Sequence, residues 1–229
     1  MRKAKIAFLC IVLLTNCSGS ENFEIENLSN KYSIQALHLF SESGFHHKDK
    51  VFKWKQNITI SHKGSSTTND IKNIDSLIEE FEPLLNGLTL TRVKEYGSIV
   101  FNFTANFTEP GHTMAQGKAS IKVKTFFKSE IYKATVYIMP ELAESSRRET
   151  MRHEFMHALG LTHSATIENT ILSDRTVYKS IEELEKSMVY EKISGLDEAL
   201  VRMLYEDSIP FGLKKSEFKK QLERLETRE

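Results

Sequence analysis

The chain has 229 residues, 40% of them hydrophobic, which suits one domain with a sizeable core. Lysine plus arginine and aspartate plus glutamate number 31 each, so no overall electrostatic field favours nucleic acid, and none is expected as a partner. The only two cysteines, Cys10 and Cys17, both stand near the N-terminus, which excludes a disulfide-built scaffold.

Residues 1–17 read as a targeting segment. Arg2, Lys3 and Lys5 form a positive start, and Ile6 to Leu14 an apolar stretch too short for a lasting membrane span. Leu14-Thr15-Asn16-Cys17 resembles a bacterial lipobox, with Asn16 in place of the usual small residue. The resemblance implies export and lipidation of Cys17, which would hold the mature chain at a membrane surface of the cell envelope. Residues 18–45 are expected to act as a tether, polar and extended from Ser18 to Asn30, with a short helix over Lys31 to Phe40.

A domain over residues 46–215 is expected to follow. Val51 to Ser61, with Trp54 and the alternating Ile58 and Ile60, predicts a strand. Thr68 to Leu85 carries Ile71, Ile74, Leu77, Ile78 and Phe81 at helical spacing and closes at Asn86-Gly87. Four short β-rich runs come next: Leu88 to Val93, Ile99 to Phe103, Ala119 to Phe126 and Ile131 to Met139. Ser146 and Glu149 are spaced as a capping box that would start the following helix. Beyond it, Thr166 to Lys186 is a polar connection. Ser194-Gly195-Leu196-Asp197 then opens a helix with Leu196, Leu200, Met203 and Leu204 on its core face. Residues 216–229 form a charged C-terminal tail, expected as a helix packed weakly on the surface or as a frayed end.

The chemistry concentrates in His153-Glu154-Phe155-Met156-His157-Ala158-Leu159-Gly160-Leu161-Thr162-His163. Residues four apart share a helix face, so His153 and His157 can grip one ion at roughly 2.0–2.1 Å. Gly160 can take the left-handed conformation that ends the helix and lets His163 swing round as a third ligand. Three protein ligands leave a fourth position for water, the pattern of catalytic rather than structural zinc. Glu154, rotated about 100° from His153, is better placed to take a proton from that water than to bind metal. Met151, Phe155, Ala158 and Leu159 fall in one sector, which gives this helix separate core and metal faces. Elsewhere, His46, His47 and Asp49 could touch metal as an inhibitory segment, although neighbouring histidines in a polar loop are commonly solvated.

The five fixed positions His153, Glu154, His157, Gly160 and His163 resemble the zinc signature of the metzincin metalloproteases. Ser187-Met188-Val189-Tyr190 resembles the family's methionine turn, which would put Met188 beneath the metal and Tyr190 near it as a further ligand or oxyanion donor. Tyr190 is similar to the astacin and serralysin branches and Ser164 to the matrixin branch, so the subfamily stays open. The order of elements extends the likeness to roughly Val51 to Asp207. It implies an α+β fold of metzincin (zincin) type, a mixed five-stranded twisted sheet with an active-site helix and a C-terminal helix. In that family the fourth strand, here within Ala119 to Phe126, is an antiparallel edge above the cleft where substrate pairs. The resemblance implies a monomeric zinc endopeptidase with one catalytic Zn2+, a protein or peptide substrate and Glu154 as general base. The alternatives are a lipid-anchored zinc-binding or assembly protein without activity, and a zinc amidase acting on a non-protein amide.

Overall fold

Why the strands lie where they do follows from which of them are buried on one face and which must reach across. The computed structural model describes residues 23–105, 117–124, 128–165, 170–173 and 192–228. The described residues form an α+β fold with a mostly parallel sheet and several helices.

The N-terminal helices α1 (Glu26–Ser29) and α2 (Ile34–Ser43) lead through a 3-10 turn at His47–Asp49 to strand β1 (Lys53–Trp54). Strand β2 (Ile58–Gly64), helix α3 (Thr68–Phe81) and strands β3 (Leu90–Arg92), β4 (Ile99–Phe103), β5 (Gly117–Val123) and β6 (Glu130–Ile138) follow. Helix α4 (Glu144–Leu159) carries the histidine motif, and α5 (Gly195–Tyr205) and α6 (Lys215–Glu226) close the described chain.

The strand β6 is central. It pairs antiparallel with β5 along one edge and parallel with β4 along the other, where β1 also meets its first two residues. From β4 the sheet continues in parallel through β2 to β3. The run Val51 to Ser61 is therefore two strands and not one. The chain pairs with β6 at Lys53 and Trp54, then crosses at residues 55–57 to the far side of β4, so the sheet has six strands where five are expected. The antiparallel strand expected within Ala119 to Phe126 is β5, an edge among the described residues.

One sheet face is apolar and lies under α3 and α4. Ile58, Ile60, Ile99, Phe101, Phe103, Ala134, Val136 and Ile138 are all buried there. Phe155 of α4 meets Phe81 of α3 edge-on at 5.1 Å and stacks over Phe101 of β4 at 6.2 Å. Offset and edge-to-face rings of this kind add to the burial itself. The helix α3 is started by a capping box between Thr67 and Asp70.

Two segments expected to lie outside the domain belong to its core. Residues 23–45 are not an extended tether: Phe23, Ile25, Leu28, Leu37, Leu39 and Phe40 are buried. Nor is the C-terminal segment a loose tail, because Phe218 and Leu222 of α6 are buried. The Phe218 ring lies 5.5 Å from Phe23, 5.2 Å from Phe40 and 5.7 Å from Phe45. Gln221 brackets the N-terminal strand of chain, accepting from the Ile25 amide at 2.9 Å and donating to the Phe23 carbonyl. The apolar residues of the two segments form one joint layer, with α2 also packed on α5.

Candidate metal centre

The helix α4 begins at Glu144, so the expected capping box at Ser146 and Glu149 does not form: both residues lie inside the helix and are buried. The preceding turn is held instead by the Arg147 guanidinium, which donates to the Pro140 carbonyl at 2.7 Å. The other end of α4 is secured carbonyl by carbonyl. Gly160 has φ +117°, and the amides of Gly160 and Leu161 return to the His157 and Met156 carbonyls at 3.0 and 3.2 Å. The next two carbonyls receive side-chain donors, Trp54 Nε1 on Ala158 and the Tyr205 hydroxyl on Leu159, each at 2.9 Å. Helix termini leave their last carbonyls unpaired, and here each finds a partner. A Cβ at position 160 would stand 2.1 Å from the Phe52 carbonyl oxygen, so glycine is required by close approach as well as by backbone angle.

This frame brings the three motif histidines together. The Nε2 atoms of His153 and His157 are 3.0 Å apart, those of His153 and His163 3.0 Å, and those of His157 and His163 3.1 Å. Carbonyl oxygens only accept hydrogen bonds, so the contacts of His153 Nδ1 with the Ile171 carbonyl (2.6 Å) and of His157 Nδ1 with the Leu161 carbonyl (2.9 Å) make both Nδ1 atoms the protonated ones. Their Nε2 lone pairs then face one another across the triangle. Burial, and next the neighbouring rings of His153 and His163, hold His157 well below the ordinary imidazole value, so it is neutral at neutral pH. Converging neutral lone pairs repel unless a cation joins them. Tetrahedral zinc with bonds of about 2.0–2.1 Å needs nitrogens roughly 3.3–3.4 Å apart, a small expansion of this triangle. The three side chains form a group that could hold a metal ion.

The support behind the ligands was not legible in the motif. Residues 170–173 form a turn whose Ile171 carbonyl orients His153 and whose Leu172 carbonyl accepts the Ser164 amide at 2.9 Å, next to His163. That turn is held by Asp197, fully buried, whose carboxylate accepts from the Ile171 amide at 3.1 Å and also caps α5 through Ser194. The capping role of Asp197 is visible in sequence; its reach to the turn whose carbonyl orients His153 is not. Ser164 Oγ donates to Glu42 of α2 at 2.6 Å, and the Thr162 amide to the Ser43 carbonyl at 2.7 Å, so the N-terminal segment braces the third histidine. Partners of this kind orient metal ligands and fix their tautomers.

Glu154 lies beside the triangle and faces β5. Its carboxyl is buried, which pushes it up to about 8, against the lowering influence of a hydrogen bond from the Ala119 amide. Gly117 makes this approach possible, since a Cβ there would sit 2.7 Å from Glu154 Cγ and 2.6 Å from Thr150 Cγ2. Between β5 and the metal face runs a cleft of about 300 Å³ lined by His46, Gly117, Lys118, Ala119, Ile121, Glu154, His157, Leu161, Thr162 and His163.

His46 is thus on the cleft, its ring 6.2 Å from Phe52, but it is not one of the three clustered histidines. His38 pairs with Glu226 at 2.8 Å and His62 with Ser66 at 3.0 Å, both away from the site. Met188, Tyr190 and Cys17 lie outside the described residues. None of the curated proteins compared matches the chain. A family match spans the two N-terminal helices, the whole sheet, the histidine helix and most of α6, from residue 26 to 224. By that match the chain belongs to the family described as protein of unknown function (DUF2927).

Proposed function

We propose that this protein is a zinc-dependent endopeptidase of metzincin type. The observation that carries the reading is the triangle of Nε2 atoms at 3.0–3.1 Å beside a buried carboxyl on the rim of an open cleft. A strand order in which the antiparallel edge β5 overhangs the histidine helix adds support. His153, His157 and His163 would hold the ion. Zinc in such a site supplies Lewis acidity towards a carbonyl and makes a water acidic near neutral pH.

The chain's own residues supply the proton handling and the alignment. Glu154 takes the proton of the attacking water and delivers it to the leaving amide nitrogen. A carboxyl whose proton affinity is raised by burial is suited to both transfers near neutral pH, and the Ala119 amide keeps it aimed. The edge of β5 aligns an extended peptide above the cleft by strand addition. Tyr190 belongs to the proposal as oxyanion donor, Met188 as the floor of the site, and Cys17 as the lipid anchor that keeps the exported chain at the cell envelope. Among the described residues no helix is long and apolar enough to cross a membrane.

Glu154→Ala tests the assignment. The variant is expected to bind one zinc per chain and to lose peptide cleavage by about 10²- to 10⁴-fold, the range for a general base. Undiminished turnover would refute the role of Glu154.

A further inference from the structure

The charge balance of the whole chain conceals a local asymmetry at the cleft. Strand β5 alternates strictly, with Gly117, Ala119, Ile121 and Val123 half-buried and Lys118, Ser120 and Lys122 exposed on the opposite face. The cross-strand register sets Lys118 beside Tyr137, Ser120 beside Thr135 and Lys122 beside Lys133 of β6. None of these six outward positions carries a carboxylate. Two ammonium groups opposite each other across an antiparallel pair repel, a cost that a neighbouring anion removes. The next lysine along, Lys124, is by contrast already paired with Glu130 at 2.6 Å. Lys118 also lines the cleft, where, among the described lining residues, Glu154 is the one acidic group and three imidazoles accompany it.

Resting on the peptidase reading above, we propose that the cleft selects extended peptides bearing carboxylates at alternate-face positions i and i+4, matched to Lys118 and Lys122 of the edge strand. A strand added to β5 puts its side chains on the same face as the residues directly opposite, at a Cβ separation of about 4.5–5.5 Å. Lys118 and Lys122 are four residues apart, roughly 13 Å along a strand, so the two acidic positions span the same distance with a small polar position opposite Ser120 between them. Lys118, closest to Glu154 and the histidines, reads the acid nearer the bond that is cut. Lys122, backed by Lys133, reads the more distant one.

The test uses the zinc-loaded full chain and octapeptides randomised at the centre, with the two positions fixed as Asp, Ala or Lys. Expected is a kcat/KM at least about tenfold higher for the Asp pair than for the Lys pair, shrinking in 1 M salt where the screening length falls to about 3 Å. Lys118→Glu with Lys122→Glu should invert the preference. Lys63→Glu, on the same sheet face but on β2, should leave it in place. Cleavage indifferent to charge, or a preference that survives the double reversal, overturns the inference while the peptidase reading stands. If no peptide is cleaved, fluorescence anisotropy with the zinc-loaded Glu154→Gln chain decides. Acid-selective binding there upholds the recognition surface and removes the peptidase reading, and its absence overturns both.

Discussion

Gly117 is silent in the sequence, yet replacing it should disable the site. A Cβ at that position would lie 2.6 Å from Thr150 Cγ2, 2.7 Å from Glu154 Cγ and 3.0 Å from Glu154 Oε1. Carbon atoms in ordinary contact are about 3.5 Å apart, so the two carbon contacts are about 0.8–0.9 Å too short. Thr150 and Glu154 are both buried on α4, and neither can retreat without disturbing the helix. Overpacking of this order costs roughly 1–3 kcal/mol, and the strand gains back about 0.5–1 kcal/mol from losing a glycine, leaving a net loss of up to about 2.5 kcal/mol for Gly117→Ala. For a chain of this size that lowers Tm by up to roughly 10 °C. If β5 and Glu154 separate by even part of the deficit, the carboxyl leaves its Ala119 hydrogen bond and its line to the water. A displacement near 1 Å at a reacting group costs on the order of 10²-fold in rate. Calorimetry, zinc stoichiometry and peptide turnover should therefore show a modestly less stable chain with full zinc content and about a hundredfold slower cleavage. Wild-type turnover together with wild-type Tm would show that β5 does not press on Glu154 and would remove the geometric basis of its role.

Asp197→Asn replaces a carboxylate that accepts from both Ile171 and Ser194 with a group that must turn a donor towards one of them. The variant should lose about 1–3 kcal/mol of stability and bind zinc 10- to 100-fold more weakly, measured by chelator competition; unchanged zinc affinity would show that the 170–173 turn holds His153 without it. Lys53 is buried, its ammonium donating to the Glu206 and Ile209 carbonyls, and burial pushes it down to about 8 against the pull of Asp207 and Glu206. The unfolded chain therefore binds more protons than the folded one from about pH 8 to 10.5, and stability should rise with pH across that interval by up to about 3 kcal/mol. Burial raises the phenols of Tyr32 and Tyr205 above their ordinary value, which acts in the opposite sense above about pH 10, where only the unfolded chain loses those protons. Denaturant melts from pH 7 to 11 should show a maximum near pH 10, and Lys53→Met should abolish the rise; a monotonic fall in the unsubstituted chain would contradict the buried amine.

What local pattern could establish was limited to features written within a few residues of one another. The i, i+4 histidines, the glycine that ends their helix and the third histidine three residues later form a local device, and the structure brings all three rings together. Alternation is clear in β4, the antiparallel edge β5 and most of β6, because burial on one face imposes a period of two. Several features depended on partners distant in the chain. The apolar residues of 23–45 and of α6 carry no local sign of what covers them, and they are buried where α2 meets α5 and α6. The capping box expected at Ser146 does not form because the helix starts about a turn earlier, at Glu144, and buries Arg147 against the distant Asp70 carboxylate at 2.9 Å.

By itself the sequence determined which three side chains could hold a metal ion together, since helix geometry translates spacing directly into a shared face. Only the tertiary structure decided which backbone carbonyls orient those imidazoles, which buried carboxylate steadies that backbone, and how closely Gly117 lets a strand approach Glu154. Contacts of that kind join residues as far as 122 positions apart, Ser164 with Glu42, where no periodicity links them and only packing brings them within reach.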